Sequence, residues 1–428
     1  MGPKKYGRLR RQRGIGVSAY PTSPRLRRRS ARVWSDMESS LLKVFNQRPF
    51  ALPTIRSISI VRVVIRCGKL CVLVLLLFVC GAHAFDWTLV KYDGRDYIPI
   101  QDVATFYSFT QASYTGDSVN LEGATLRMVG GVNSRELYLN GLKFILSFPI
   151  VKVDNQILLS RMDLSKLVEP VLRPARIQGR PVGTVVLDAG HGGVDQGATS
   201  ILGNEKEFTL DVVERARDLL LKAGFNVRLT RSADVFVPLE DRAAFGNRQS
   251  NAVFVSVHFN AGAREDAGGI ETYSLAPRGV PSTNSLNLTL SDFEPCVGNI
   301  RDTENIALAT AMHAALITRV GANDRGIKRA RFAVLRNTTI PSVLIEGGFL
   351  TNPQDRVRIA TPVYRQLLAQ AIAQGILSYN RALNRGPSSD KMMVKRDGAS
   401  ETGTADPGLS IWDPLKPSAY TLPQDARK

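Results

Sequence analysis

From residue 184 to about residue 384 the chain alternates short runs centred on Val, Ile, Leu or Phe with longer stretches of helical period. The apolar runs at 184–188, 226–230, 252–257, 269–274 and 342–346 are rich in Val, Ile, Leu and Phe and short enough to be buried strands. Between them, 207–222, 239–248, 303–319 and 362–379 repeat apolar residues at helical spacing: Leu210, Val213, Ala216, Leu220 and Leu221 in the first, Leu367, Ala371, Ile372 and Ile376 in the last. Such alternation predicts an α/β domain of three layers, with helices on both faces of a central, mostly parallel or mixed sheet.

The preceding stretch, 85–176, has a different rhythm. Its runs are shorter and alternate, as in LYLNGLKFIL at 137–146, where Asn140-Gly141 is a hairpin turn signal. It also echoes itself: Ile98-Pro-Ile-Gln-Asp102 and Leu159-Ser-Arg-Met-Asp163 each place an acid four residues after an apolar one, ahead of a short helical pattern. These features predict a small α+β accessory domain. They resemble the copper-amine-oxidase N-terminal-like module, which implies a spacer or a docking unit for another envelope protein. The stretch holds no His and no Cys, so it offers no copper site. Pro170, Pro174 and Pro181, interspersed with basic residues, place a linker at 177–183.

Charge alters the picture at the ends. Of the 56 Lys and Arg in a 428-residue chain of net charge +18, residues 1–69 hold 17 against only Asp36 and Glu38. The remainder is therefore near neutral, and a polyanion such as nucleic acid is not an expected partner. The head at 1–69 reads as largely disordered and then as the basic n-region of a signal peptide. Residues 70–84 supply an apolar run and an Ala82-x-Ala84 site, predicting cleavage before Phe85 and export to the periplasm or cell envelope. Retention of that run as an anchor is the alternative, and contact with the membrane is expected only through this segment. Met37 offers an internal start that would shorten the n-region. Cys67, Cys71 and Cys80 lie in or before the signal, which leaves Cys296 alone beyond it and excludes a disulfide framework or a Cys-based zinc site. After residue 385 the composition predicts a disordered tail.

Chemistry gathers where the predicted strands end. His191 sits in the glycine-rich turn after 184–188, Glu205 just ahead of a helix, His258 directly after 252–257, and Glu346 at the end of 342–346 before Gly347-Gly348. Ligands of open α/β sheets bind beyond the carboxyl ends of strands. Two histidines and a carboxylate are a frequent protein set for catalytic zinc, and a further carboxylate can act as general acid and base. Each residue also has a plainer reading. A loop histidine, an acid favoured by a helix N-terminus, a core-edge histidine, and a glutamate paired with Arg329, Arg331 or Arg336 would account for the four singly. His313, inside a helix among Met312, Ala314 and Ala315, is read as structural. Asp188 and Asp195 are both placed to orient an imidazole, and Asn260, two residues past His258, is a candidate substrate contact.

The segments VVLDAGHGGVDQGA, NEKEFTLDVV, FVSVHFNA and VLIEGGFLTN, with LTRSADVFVPLEDRAAFGN and RGIKRARFAVLRNTTIPSVLIE between them, resemble the zinc-dependent N-acetylmuramoyl-L-alanine amidases of the amidase-3 family. The resemblance covers 184 to about 379, within a catalytic domain expected at 184–384. It implies that His191, Glu205 and His258 hold Zn²⁺, with Glu205 rather than Glu207 in the ligand place, and that Glu346 is the catalytic acid/base. The implied substrate is peptidoglycan, cut at the amide joining N-acetylmuramic acid to the L-alanine of the stem peptide. A zinc peptidase acting within the stem peptide and an inactive wall-binding regulator are the alternatives. The loop at 277–302 has no helical period, which predicts a cleft open to substrate rather than one covered by an inserted helix.

Overall fold

The computed structural model describes residues 85–177, 179–285 and 287–384; the head, signal and tail expectations lie outside the described residues. Strands β1 (Val90–Tyr92) and β2 (Arg95–Pro99) lead into helix α1 (Ile100–Phe106), followed by β3 (Gln111–Thr115), β4 (Ser118–Glu122), β5 (Arg127–Gly131), β6 (Glu136–Leu139), β7 (Leu142–Ile145), β8 (Val151–Val153) and β9 (Gln156–Ser160). β3 to β7 form an antiparallel meander, and β1, β2, β9 and β8 a second, four-stranded sheet. The Asn140-Gly141 turn joins β6 to β7 with Leu139 opposite Leu142, both turn residues having positive φ (49° and 83°).

The two echoed segments are neighbours in space: β2 and β9 pair antiparallel, Ile98 opposite Leu159, and each runs straight into a helix. Their acids also do equivalent work. Asp102 accepts the Thr88 N–H (2.8 Å), and buried Asp163 accepts those of Ser147 and Phe148 (2.7 and 3.1 Å). The helical stretch at 161–172 accommodates Pro170 in its final turn-and-a-bit, where the proline occupies the opening of a short α segment.

Beyond residue 183 come β10 (Thr184–Ala189), a two-residue pair β11 (Thr199–Ser200) and β12 (Gly203–Asn204), α2 (Glu205–Lys222), β13 (Asn226–Leu229), α3 (Leu239–Asn247), β14 (Ala252–Asn260) and β15 (Ile270–Leu275). α4 (Asp302–Val320), β16 (Asp324–Ala330), α5 (Ala333–Arg336), β17 (Ser342–Phe349), α6 (Pro353–Ala360) and α7 (Pro362–Asn384) complete the order. β13, β10, β14 and β17 run parallel, whereas β15 lies antiparallel to β17 and parallel to β16, so the sheet is mixed.

Alternation along the central strands sorts two cores. Val185, Leu187, Val255 and Ile345 pack with Val213, Leu308 and Ile372 of α2, α4 and α7. Val186, Phe254 and Leu344 pack on the other side with Val334 and Leu335 of α5 and with Phe245 of α3. Burial on both faces is why these strands read as continuous apolar runs. The three-layer α/β arrangement expected from the pattern is the observed one.

β16 escaped the sequence reading. Its residues Asp324, Arg325, Lys328 and Arg329 look like a solvated turn, yet the strand is largely buried and pairs with β15 on one side and with β7 on the other, Ile327 opposite Phe144. The meander thus continues the same sheet, which reaches eleven strands in the order β13-β10-β14-β17-β15-β16-β7-β6-β5-β4-β3. Polar groups lock this junction. Arg329, 2% exposed, donates to the carbonyls of Lys166 (2.6 Å) and Leu275 (3.2 Å) and to Ser274 Oγ (3.2 Å). Burial pushes its guanidinium down to about 10, opposed by the charges of Asp302 and Asp163. Asp324 accepts from the Lys143 N–H (3.4 Å) and meets His313 Nε2 at 2.8 Å, while Thr272 Oγ1 lies 2.8 Å from His313 Nδ1. His313 is therefore a fully engaged structural histidine.

Replacing Arg329 by Leu strips three buried acceptors of a donor, and a loss of about 2–4 kcal/mol is expected. Urea unfolding followed by circular dichroism measures it as a lowered midpoint at unchanged slope.

Candidate metal centre

β10 and β14 end side by side, and the turn after β10 swings His191 toward the tip of β14. His191 itself has φ of 61°, with Gly192 at 128° and Gly193 at 59°, so the chain reverses within three residues. Two arginines hold that reversal. Arg242, 2% exposed, donates to the carbonyls of Ala189 (2.5 Å) and His191 (2.6 Å). Arg231, 3% exposed, donates to those of Ala189 (3.0 Å), Gly190 (2.8 Å) and Lys206 (2.7 Å). Asp188, buried in the strand, anchors the Arg242 guanidinium at 2.8 Å and accepts from Thr230 Oγ1 (2.6 Å) and Ser256 Oγ (2.7 Å). Its carboxylate is thereby consumed, and it contacts no imidazole. Asp195 does: its Oδ2 lies 2.9 Å from His191 Nδ1, and its Oδ1 accepts the Gly197 N–H (3.1 Å).

Glu205 is the first residue of α2 rather than a residue ahead of it. Glu207 caps the helix, its carboxylate taking the Asn204 N–H (3.5 Å) and side-chain amide (3.3 Å). Glu205 is thus left to point into the site, where its Oε2 lies 3.1 Å from His191 Nε2 and its Oε1 2.9 Å from His258 Nδ1. Backbone N–H groups of Ala198 (2.8 Å) and Phe259 (3.0 Å) fix the carboxylate in place. The ligand atoms of His191, Glu205 and His258 all fall within 4.8 Å of one another. Burial opposes the charge on Glu205, but the two imidazoles outweigh it and hold the carboxyl far below its ordinary range. Burial likewise pulls His191 down, and the hydrogen bonds and charges of Glu205 and Asp195 raise it overall.

Two glycines leave room for this cluster. A Cβ on Gly190 would stand 2.3 Å from His258 Cε1, and one on Gly197 would stand 2.5 Å from Glu205 Oε2 and 2.6 Å from His191 Cδ2. The donor set, two imidazole nitrogens and a carboxylate oxygen, with Asp195 behind the first imidazole, fits a divalent cation such as zinc. The imidazoles keep 23% and 18% of their side-chain surface exposed, so solvent reaches the cluster.

Glu346 stands beside it. In the parallel pairing of β14 with β17 it is the register partner of His258, which puts both side chains on one face at one level of the sheet. Its Oε2 is buried with no hydrogen-bond partner among the described residues, although the residue as a whole retains some exposure. Burial, then the charges of Glu205 and Glu271, push its carboxyl well above the ordinary range, with Lys328 opposing. Two of the arginines that could have paired with it are engaged elsewhere, Arg329 on carbonyls and Arg331 on Asp292 (3.2 Å), and no ion pair joins Glu346 to Arg336 among the described residues.

Asn260 ends β14, donating to Glu271 Oε2 (3.2 Å) and accepting the Ala261 N–H (2.8 Å). Glu271, 2% exposed, is a member of the site that the sequence reading did not single out, as are Arg231, Arg242, Arg325 and Lys328. An acid inside the apolar run at 269–274 was the available signal. The loop at 277–302 forms two short 3₁₀ turns, Leu290–Phe293 and Val297–Arg301, tied down by Arg331 through the Pro277 and Asp292 carbonyls (2.9 and 2.7 Å). No α-helix occurs among its described residues before Asp302, which opens α4.

Set beside known proteins, residues 185–378 match the family N-acetylmuramoyl-L-alanine amidase. The chain is 30% identical over 217 residues to N-acetylmuramoyl-L-alanine amidase AmiA of Escherichia coli (strain K12), covering 46% of this chain and 75% of that protein. To the uncharacterized protein YqiI of Bacillus subtilis (strain 168) it is 36% identical over 196 residues, 46% of this chain and 84% of the other. Among solved structures, the catalytic domain of CwlV, an N-acetylmuramoyl-L-alanine amidase from Bacillus (Paenibacillus) polymyxa, is 31% identical with a TM-score of 0.39, covering 46% of this chain and 98% of that one. The chain belongs to the N-acetylmuramoyl-L-alanine amidase family.

Asp188→Ala strands the Arg242 guanidinium in the core without a counter-charge and is expected to cost about 3–5 kcal/mol. Denaturant unfolding of the purified variant checks this.

Proposed function

We propose that this protein hydrolyses the amide between N-acetylmuramic acid and the L-alanine of the peptidoglycan stem peptide, with His191, Glu205 and His258 as zinc ligands and Glu346 as the general acid and base. The single observation that carries the assignment is the convergence of three ligand atoms within 4.8 Å directly beside the strand position that presents Glu346. Membership of the amidase family names the bond. A cut within the stem peptide, which would use the same metal chemistry on a different bond, is less favoured because the relatives are amidases, and an inactive binder because it has no need of Glu346 beside a complete ligand set.

Zinc, when bound, supplies Lewis acidity toward the scissile carbonyl, a lowered pKa for water, and positive charge that offsets the repulsion between Glu346 and Glu205. The protein does the rest. Asp195, accepting from His191 Nδ1, sets the tautomer that leaves Nε2 free to ligate, and Arg242 and Arg231 keep the turn that carries the ring from relaxing. Glu346 takes a proton from the attacking water and returns it to the alanine nitrogen as the carbon–nitrogen bond breaks. Its Oε2, which has no hydrogen-bond partner among the described residues, is available for both transfers. Asn260, held against Glu271, is the candidate substrate contact on the same rim.

This substrate lies outside the cytoplasm, so export directed by residues 70–84 into the periplasm or cell envelope is part of the reading. No helix among the described residues is long and apolar enough to cross a membrane. The domain at 85–176, read as a spacer or a docking unit for an envelope protein, would hold the catalytic domain at the wall through the shared sheet.

Digestion of purified sacculi separates the roles. Glu346→Gln is expected to lose activity by about 10²–10⁴-fold while zinc content stays at the wild-type level. His191→Ala together with His258→Ala is expected to lose the zinc. Full activity in the first variant, or retained zinc in the second, overturns the assignment. Asp195→Asn should weaken zinc affinity by about 10–100-fold, measured by competition with a chelator.

A further inference from the structure

Past Glu346 the row of site residues continues across the sheet. β15 runs antiparallel to β17 with Glu271 directly opposite Glu346, so the two carboxyl groups share a face about one strand spacing, ~5 Å, apart. Glu271 is saturated. Its Oε1 accepts from both Arg325 Nε (2.6 Å) and Lys328 Nζ (2.5 Å), and its Oε2 from Tyr273 Oη (2.6 Å) and Asn260 Nδ2 (3.2 Å). Two cations therefore share the Glu271 carboxylate at the edge of the cleft, with Glu346 as the neighbouring acid. The two cations differ in exposure. Lys328 keeps only 11% of its side-chain surface exposed, whereas Arg325 keeps 31%. Arg325 is fixed by its Nε and by the Phe349 ring, whose centroid lies 4.9 Å from Cζ, and its two terminal nitrogens have no hydrogen-bond partner among the described residues. A guanidinium immobilised at one nitrogen, stacked on a ring, and left with its forked end open is prepared for a planar anion.

The substrate has such a group if the residue following the alanine is acidic. Consecutive α-carbons are about 3.8 Å apart, so a carboxylate on that residue falls within about two strand spacings of the scissile bond when the carbonyl sits beside Glu346. Resting on the amidase reading, we propose that Arg325 is a specificity-determining residue that binds a free carboxylate on the second stem-peptide residue, and that peptidoglycan carrying a carboxamide there is a poorer substrate. Glu271 and Phe349 position Arg325; Lys328 keeps Glu271 neutralised, so that the arginine's charge is available to the ligand.

The test uses the full-length zinc-loaded protein and two synthetic muramyl peptides that differ only in carboxylate against carboxamide on the residue after alanine. Wild type is expected to favour the carboxylate by about tenfold or more in kcat/KM, mainly through KM, as a charge-assisted hydrogen-bonded pair implies. Arg325→Gln, which leaves Glu271 paired with Lys328, brings that ratio close to one, and Arg325→Lys keeps part of it as a point charge. Calorimetric binding of the same two peptides to Glu346→Gln, which turns over slowly, is expected to show the same preference and its loss when Arg325→Gln is added. A wild-type ratio near one, or an Arg325→Gln variant that slows both peptides equally and keeps the ratio, overturns the proposal while leaving the amidase reading intact. Failure of wild type to release an alanine-terminated peptide from either compound overturns the amidase reading and this proposal with it.

Discussion

Everything at this site hangs on the backbone turn after β10, and that turn is held by charge buried in the protein. Arg242 and Arg231 reach the carbonyls of Ala189, Gly190 and His191 from two different elements, and Asp188 neutralises Arg242 from within the strand. A left-handed histidine between a buried strand and two further positive-φ glycines is an unfavourable conformation on its own. Carbonyls satisfied by rigid guanidinium groups are what make it the stable one. The imidazole that results is aimed by the fold before any ligand arrives, which is the preorganisation a metal site needs.

The second constraint is the way strands deliver side chains to one level. His258, Glu346 and Glu271 come from three neighbouring strands and stand in register because of one parallel and one antiparallel pairing. Reversing β15 relative to β17 turns a row of two into a row of three and brings the charged residues of β16 to the rim. The same β16 is the seam at which the preceding domain joins the sheet through β7. Residues that shape the cleft and residues that fasten the preceding strands thus lie on one short strand: Arg325 and Lys328 serve Glu271, and Arg329 serves the junction.

Much of this was legible in the chain. Central strands buried on both faces announce themselves as apolar runs, and polar residues directly after such runs stand out because nothing in packing calls for them. His191, His258 and Glu346 were visible for that reason. Glu205 was harder, since Glu207 lies two residues on; the family resemblance put Glu205 in the ligand place, and the capping of α2 by Glu207 is the physical reason that Glu205 is left to face the cluster. β16 was hidden because charges conceal a strand: Lys328 and Arg329 are buried only through partners that are far away in sequence. The arginines of the turn were hidden likewise, lying in a segment whose acids and bases look like ordinary surface.

What the sequence determined by itself was therefore the central strands and the long helices between them, the class of fold, and the two histidines and the glutamate that converge. These depend on hydrophobic period and on local turn chemistry, which are properties of neighbours along the chain. Which of Asp188 and Asp195 orients an imidazole, how the turn after β10 is held, and how the preceding domain shares the sheet were decided only in the folded protein. Each of those outcomes is a pairing between charged or hydrogen-bonding groups tens of residues apart or set by a turn's final geometry, and no periodicity along the chain encodes such a pairing.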